Sequence, residues 1–178
     1  AAPINASLVE NYYNQIKDEI MNSEYLLIGI GEEMNFNFSN KLCDNIELIP
    51  FMKYIELMNA DKSIYYKMYQ NLSKLLNNKN YFIVSICNDG LIDQIKEIDK
   101  ENVVKPCGGF EKLHCKNNCK NTLIDINQVE IPLINKLSKN QEVNLQDIPR
   151  CSVCNKPLVF NQVNQPGYDE SEYLEDWN

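Results

Sequence analysis

Apolar positions recur at helical spacing in some stretches of this chain and run unbroken in others, and the two patterns alternate. "SLVENYYNQIKDEIMN" places Val9, Tyr13, Ile16 and Ile20 on one helical face. Ser7 and Glu10 stand in capping-box spacing at its start. "EYLLIGI" is a short apolar run that predicts a buried parallel strand entering a tight loop at Gly29 and Gly31. A helix is expected near "FMKYIELMNA". "DKSIYYKMYQNLSKLLNNK" predicts a stronger one, with Ile64, Tyr65, Met68, Leu72, Leu75 and Leu76 as its core face. "YFIVSI" predicts the second buried strand and ends in "CNDG". "LIDQIKEI" predicts a short helix, and "NVVK" a third strand that Pro106 stops.

Helices and strands in this order predict a Rossmann-like α/β domain with a parallel sheet over residues 1–109. Ligands of such sheets bind beyond the carboxyl ends of the strands. Those ends here are "GIGEEM", "CNDG" and "PCGG". From Phe110 the texture changes to Cys, Asn, Lys and short β-like runs. Residues 110–160 are therefore expected to form a small metal-held module, and 161–178 a return segment to the α/β domain.

Charge narrows the partners. The formal charge is −8, from 25 acidic and 17 basic residues, and Arg150 is the only arginine. Nucleic acid is excluded as a partner on this ground, because neutralising phosphates takes clustered Lys and Arg. No apolar run reaches the length of a membrane span, and no secretory signal is visible. Seven cysteines are an odd number for a disulfide framework, so a reducing, cytoplasmic setting is expected.

Four of the cysteines have metal-ligand spacing. Cys115 and Cys119 form a C-x3-C pair, and Cys151 and Cys154 a C-x2-C pair. Two such knuckles set four thiolates around one tetrahedral ion, and all-sulfur ligation favours zinc over an iron–sulfur cluster. With four protein ligands the ion has no open position, so its role is structural. The other reading is four unrelated buried thiols. His114, the only histidine, is expected to face solvent beside the knuckle; a fifth ligand or a general base is the alternative.

The order of these segments resembles the sirtuins. "LLIGIGEE" is similar to the family's "GAGIS" segment, "SICNDGL" to its "TQNIDGL" segment, and "KPCGGFEKLHC" to its "HG…C" segment. "IPRCSVCNKPLVF" resembles the second knuckle. The C-x3-C spacing and the long insertion between knuckles resemble the macrodomain-linked sirtuins most. The resemblance implies a Rossmann-type domain with structural zinc, NAD as cofactor, and an acylated or lipoylated protein as substrate. The activity implied is NAD-dependent protein ADP-ribosyl transfer or deacylation. Gly29 and Gly31 would hold phosphate, Asp89 would orient the ribose, and Cys107 would occupy the catalytic position.

This chain departs from that pattern at several points. Cys107 stands where most of the family has its catalytic histidine, which the macrodomain-linked group also lacks. Cys87 stands at the asparagine of the "TQNID" segment, and no arginine follows the first glycine loop. Glu32 and Glu33 follow Gly31 directly, and carboxylates there repel phosphate by on the order of 1 kcal/mol per pair in water. In the bland reading the two glycines only turn the chain. These departures leave a second function open: a catalytically degenerate sirtuin-like scaffold that binds a nucleotide or a protein. A third is a thiol sensor built on Cys87 and Cys107, set against the reading that both are inert core thiols.

Overall fold

The apolar runs become three parallel strands. In the computed structural model, which describes residues 6–41, 43–120 and 122–174, β1 (Tyr25–Ile30), β2 (Asn80–Ser85) and β3 (Val103–Val104) form a sheet in the order β1-β2-β3. Tyr25 pairs with Asn80 through to Ile30 with Ser85, and Ile83 and Val84 pair with Val103 and Val104. Two helices fill the crossover from β1 to β2, α2 (Ile49–Asn59) and α3 (Ser63–Leu76). Ahead of β1 lies α1 (Ala6–Asn22).

A second, antiparallel sheet runs in the order β5-β4-β6, from β4 (Gly108–Cys115), β5 (Ile124–Asp125) and β6 (Leu158–Gln162). A short helix, α4 (Pro132–Ser138), occupies the connection between β5 and β6. Proline in its first turn suits a position whose N–H has no partner within the helix. Fully buried Leu133 of α4 and buried Ile131 and Ile148 give this connection its own apolar contacts.

α2 joins the two sheets. Phe160 of β6 is fully buried, with its ring 4.8 Å from Phe51, 5.0 Å from Phe110 and 5.6 Å from Tyr54. Aromatic pairs of this kind add about 0.5–1.5 kcal/mol each beyond the area they bury. This seam sets the carboxyl ends of β1–β3 against the start of β4.

Four expectations are corrected. β1 is not buried on both faces: Tyr25 is 75% and Leu27 79% exposed, because β1 is a sheet edge and nothing among the described residues covers that face. α1 forms, but its apolar stripe is exposed from Leu8 to Ile16. α3 is rotated from the expected stripe. Tyr65, Tyr69, Leu72 and Leu76 turn inward, whereas Ile64, Met68 and Leu75 are exposed. Tyr69, outside the expected stripe, is fully buried. The stretch "LIDQIKEI" is a 3-10 turn over Leu91–Gln94 followed by bends, not an α-helix. No helix among the described residues is long and apolar enough to cross a membrane. The acidic tail beyond Leu174 lies outside the described residues.

Candidate metal centre and strand-end cleft

The two knuckles meet because β4 and β6 pair. Cys115 ends β4 opposite Leu158, the first residue of β6, and Cys151 and Cys154 lie in the turn that leads into β6. That turn is closed by Cys151 N donating to the Lys156 carbonyl and Asn155 N donating to the Cys151 carbonyl, both at 2.9 Å. The four sulfurs lie within 4.8 Å of one another. Cys115 Sγ is 3.6 Å from Cys119 Sγ and 3.4 Å from Cys154 Sγ. A zinc–sulfur bond of about 2.3 Å sets tetrahedral sulfurs about 3.8 Å apart, so the quartet fits that ion.

Each knuckle also aims an amide at its first sulfur. Asn117 N donates to Cys115 Sγ and Val153 N to Cys151 Sγ, both at 3.4 Å. Such bonds favour thiolate over thiol. Amide donation from Cys119 and Asn117 and the neighbouring sulfurs holds Cys115 down to about 6. Cys119 is pushed up to about 12 by the sulfurs of Cys154 and Cys115, so a thiolate there needs the positive ion. Asn118 and Asn155 take the left-handed backbone (φ 52° and 55°) that tightens the two turns, and asparagine tolerates it better than most residues.

His114 does not face solvent. It is 3% exposed, because β4 is flanked by a strand on each side and Gly167 packs against the ring. Its Nδ1 lies 3.0 Å from the Cys115 carbonyl oxygen, and it is not among the grouped metal ligands.

The second candidate site is the carboxyl edge of β1–β3 and the loops that follow it. Gly29 lies inside β1 opposite Val84, and Gly31 is the residue that leaves the strand. A 3-10 turn, Glu32–Met34, follows in place of an α-helix, so no α-helix N-terminus opens on Gly31. Asp89 is buried. One carboxylate oxygen accepts from Phe36 N at 2.6 Å and the other from Leu91 N at 3.0 Å. Burial pushes its carboxyl up, partly offset by those two amides. Asp89 thereby ties the loop after β2 to the loop after β1, and Asn88 N donating to Asn35 Oδ1 adds a second tie. The partners Asn35 and Phe36 carried no sequence signal.

Three glycines open this cleft, and carboxylates fill the space. A Cβ at Gly31 would lie 2.5 Å from Glu33 Oε2, and one at Gly90 2.6 Å from Glu111 Oε1; Glu111 also covers Gly109. Lys105 is the nearby cation, but its ammonium is bound to Asp93 and to Glu111 at 3.0 Å. Burial works against that charge, yet the carboxylates of Glu111 and Asp93 outweigh it and hold the lysine above its usual range.

Neither cleft thiol is activated. Cys87 is 2% exposed and its Sγ donates to the Gly31 carbonyl at 3.3 Å. Burial pushes its thiol up. Cys107 is half-buried in the turn between β3 and β4, and burial followed by the Glu32 charge pushes its thiol up too. Iodoacetamide should therefore label Cys107 slowly at neutral pH, with a rate still rising above about pH 9, past the range of a free thiol. Glu32→Gln should speed labelling at fixed pH. Mass-spectrometric mapping of the adduct measures both, and a rate that levels off below about pH 8 would show an activated thiolate.

No protein-family model and no curated protein matches the sequence. Solved structures do. A Sir2 point mutant with a p53 peptide and NAD matches with a TM-score of 0.51 and 17% identity, over 92% of this chain and 68% of that one. Sir2 with a p53 peptide and NAD+ matches with a TM-score of 0.50 and 17% identity, over 91% and 68%. A structure described as the basis for the mechanism and regulation of Sir2 enzymes matches at 0.50 and 13%, over 88% and 66%. This chain thus spans about two thirds of the length of those proteins. From its parallel sheet, its antiparallel metal-knuckle sheet and these likenesses, the chain has a sirtuin-like fold.

Proposed function

We propose that this protein is a sirtuin-like binding module, held together by structural zinc, whose strand-end cleft takes a basic peptide segment without turning over NAD. The observation that carries the reading is the carboxylate cover: Glu33 and Glu111 occupy the space that Gly31, Gly90 and Gly109 open. A pyrophosphate would have to displace both, and at about 4 Å each retained carboxylate opposes it by on the order of 1–4 kcal/mol, depending on exposure. A lysine or arginine side chain would be attracted by Glu33 and, in competition with Lys105, by Glu111. The raised thiols of Cys87 and Cys107 support the non-catalytic part of the reading. That Sir2 structures hold a p53 peptide supports a peptide in a cleft of this fold.

A second reading is NAD-dependent ADP-ribosyl or acyl transfer on an acylated or lipoylated protein, with Cys107 at the catalytic position. It is favoured by one fact: Gly31, Asp89 and Cys107 follow three neighbouring parallel strands at one sheet edge. Under it, Glu33 and Glu111 swing aside when the dinucleotide enters.

Calorimetry with a lysine-rich peptide and with ADP-ribose, beside a nicotinamide-release assay with NAD, separates the two. The binding module predicts peptide binding that weakens about tenfold in Glu111→Gln, with nicotinamide release at background. Release of nicotinamide in proportion to NAD consumed would overturn it and establish the second reading. So would ADP-ribose binding tighter than peptide binding.

A further inference from the structure

One edge of the parallel sheet is open among the described residues. β1 is an edge strand six residues long, with the sequence YLLIGI. The Glu24 carbonyl accepts from Asn80 N at 3.0 Å and the Ile30 carbonyl from Ile86 N at 3.1 Å, so the even-numbered residues turn their backbone groups toward β2. Backbone groups alternate in direction along a strand. Tyr25, Leu27 and Gly29 therefore aim theirs at the open edge, where nothing among the described residues pairs with them. Native sheets guard such edges with charge, proline, a bulge or a very short strand. The other edge strand of this sheet, β3, has two residues. β1 lacks every such guard: it carries no charge and no proline, and its register to β2 runs without a bulge.

The side chains along that edge are apolar and uncovered. Tyr25, Leu27 and Gly29 share one face of the sheet, and Tyr25 and Leu27 are largely exposed. Glycine weakens a strand interior and often marks the close approach of another chain segment. A Cβ at Gly29 meets nothing within 4 Å, so nothing inside this chain calls for it. The chain exposes 11868 Å², against about 8,900 Å² for a compact monomer of its mass. That excess is enough to supply the roughly 1,000–2,500 Å² that each partner buries in an obligate dimer.

We propose that β1 is a dimerisation edge, pairing antiparallel with β1 of a second copy about a two-fold axis at Leu27. In that register Leu27 lies opposite the partner's Leu27, and Tyr25 lies opposite the partner's Gly29. The open backbone groups of all three residues then bond across the axis and join two three-stranded sheets into one. The tyrosine ring crosses the space that glycine leaves, and leucine packs on leucine. Each contact is repeated by symmetry, as a two-fold interface requires. The seam itself holds no charge. The −8 of each copy acts only at longer range, where salt of about 0.15 M screens it within about 8 Å.

Sedimentation of the full zinc-loaded chain at that salt tests the proposal. Wild type is expected at twice the chain mass. Leu27→Lys sets two ammonium groups face to face on the axis and should weaken dimerisation at least about tenfold. Leu27 is exposed in the single chain, so zinc content should be unchanged. Leu27→Glu alone should act in the same way, whereas an equal mixture of the two variants should recover the doubled mass, because unlike charges then meet on the axis. Ile46→Lys, at an exposed position ahead of α2, should leave the doubled mass as it was. Hydrogen exchange gives a second readout. The amides of Tyr25, Leu27 and Gly29 should be slow in the dimer and fast in Leu27→Lys, with that of Ile28 slow in both. Wild type at single mass up to about 100 µM overturns the proposal and leaves the edge to a strand of other origin. A doubled mass that Leu27→Lys leaves intact overturns it equally, as does a mixture of the two Leu27 variants that stays at single mass.

Discussion

Replacing Cys151 with serine is expected to strip the metal from the protein and melt the segment between the knuckles. Serine has the right size, but its hydroxyl stays protonated and oxygen is a harder ligand than sulfur, so three thiolates remain where the ion needs four. Structural zinc sites of this kind contribute about 10–16 kcal/mol of apparent binding free energy, and that energy stabilises the fold. Losing one thiolate is expected to weaken zinc by about a thousandfold or more, which is about 4 kcal/mol. Cys151 is buried and its amide closes the turn onto Lys156, so the turn loses its anchor as well as a ligand. Elemental analysis after brief chelation should find wild-type protein loaded and Cys151→Ser empty, with Cys43→Ser, outside the quartet, still loaded. Hydrogen exchange should show protection lost around Leu133 and Ile148 and kept in β2, which packs in the parallel sheet. Full metal content in Cys151→Ser would refute the ligand assignment.

The quartet was legible in the sequence because ligand spacing within a knuckle is local covalent geometry: two residues or three between cysteines bring the sulfurs to one point whatever surrounds them. The strands were legible for a similar reason, since parallel strands read as unbroken apolar runs. What escaped is decided at long range. Nothing local in "KLHCK" says that β4 will be flanked on both sides and that Gly167 will close over His114. The inward turn of Tyr69 in place of Met68 depends on where α3 meets the sheet, and a stripe of mixed tyrosines and leucines is compatible with either rotation. Asp89 was singled out for a ribose, and its observed bonds are to the amides of Phe36 and Leu91, a structural task that the sequence could not distinguish from a binding one. The carboxylates over the glycines were only half visible. Glu32 and Glu33 stand beside Gly31 in sequence, whereas Glu111 reaches Gly90 from another strand.

The Gly-Gly pair beside Cys107 has a physical cause that its first member shows most clearly. Gly108 has φ +71°, a left-handed conformation that side chains disfavour, and it begins β4 opposite Gln162. A Cβ there would fall well inside contact with the Asn161 carbonyl oxygen and 2.9 Å from its carbon. The obstacle is the backbone of the paired strand, and Asn161 is itself clamped to Asp169 by two hydrogen bonds. Neither side can yield without opening the pairing. Gly108→Ala is therefore expected to cost about 3 kcal/mol or more, from the strained dihedral and the clash together. For a chain of this size that lowers the melting temperature by roughly 6–12 °C. Gly29→Ala is the matched control: a Cβ there meets nothing within 4 Å, so the change should stay within about 0.5 kcal/mol. Thermal melts of the zinc-loaded proteins compare the two directly. Because the Cys107 carbonyl accepts from Val163 N at 3.1 Å, a displaced Gly108 also releases the turn that leads into β4, and Cys107 should become faster to alkylate in the same variant. A Gly108→Ala protein that melts with wild type would mean that β4 and β6 part at this point at little cost. The wall of the cleft next to Cys107 would then be a mobile element, and the position of that thiol would no longer follow from the fold.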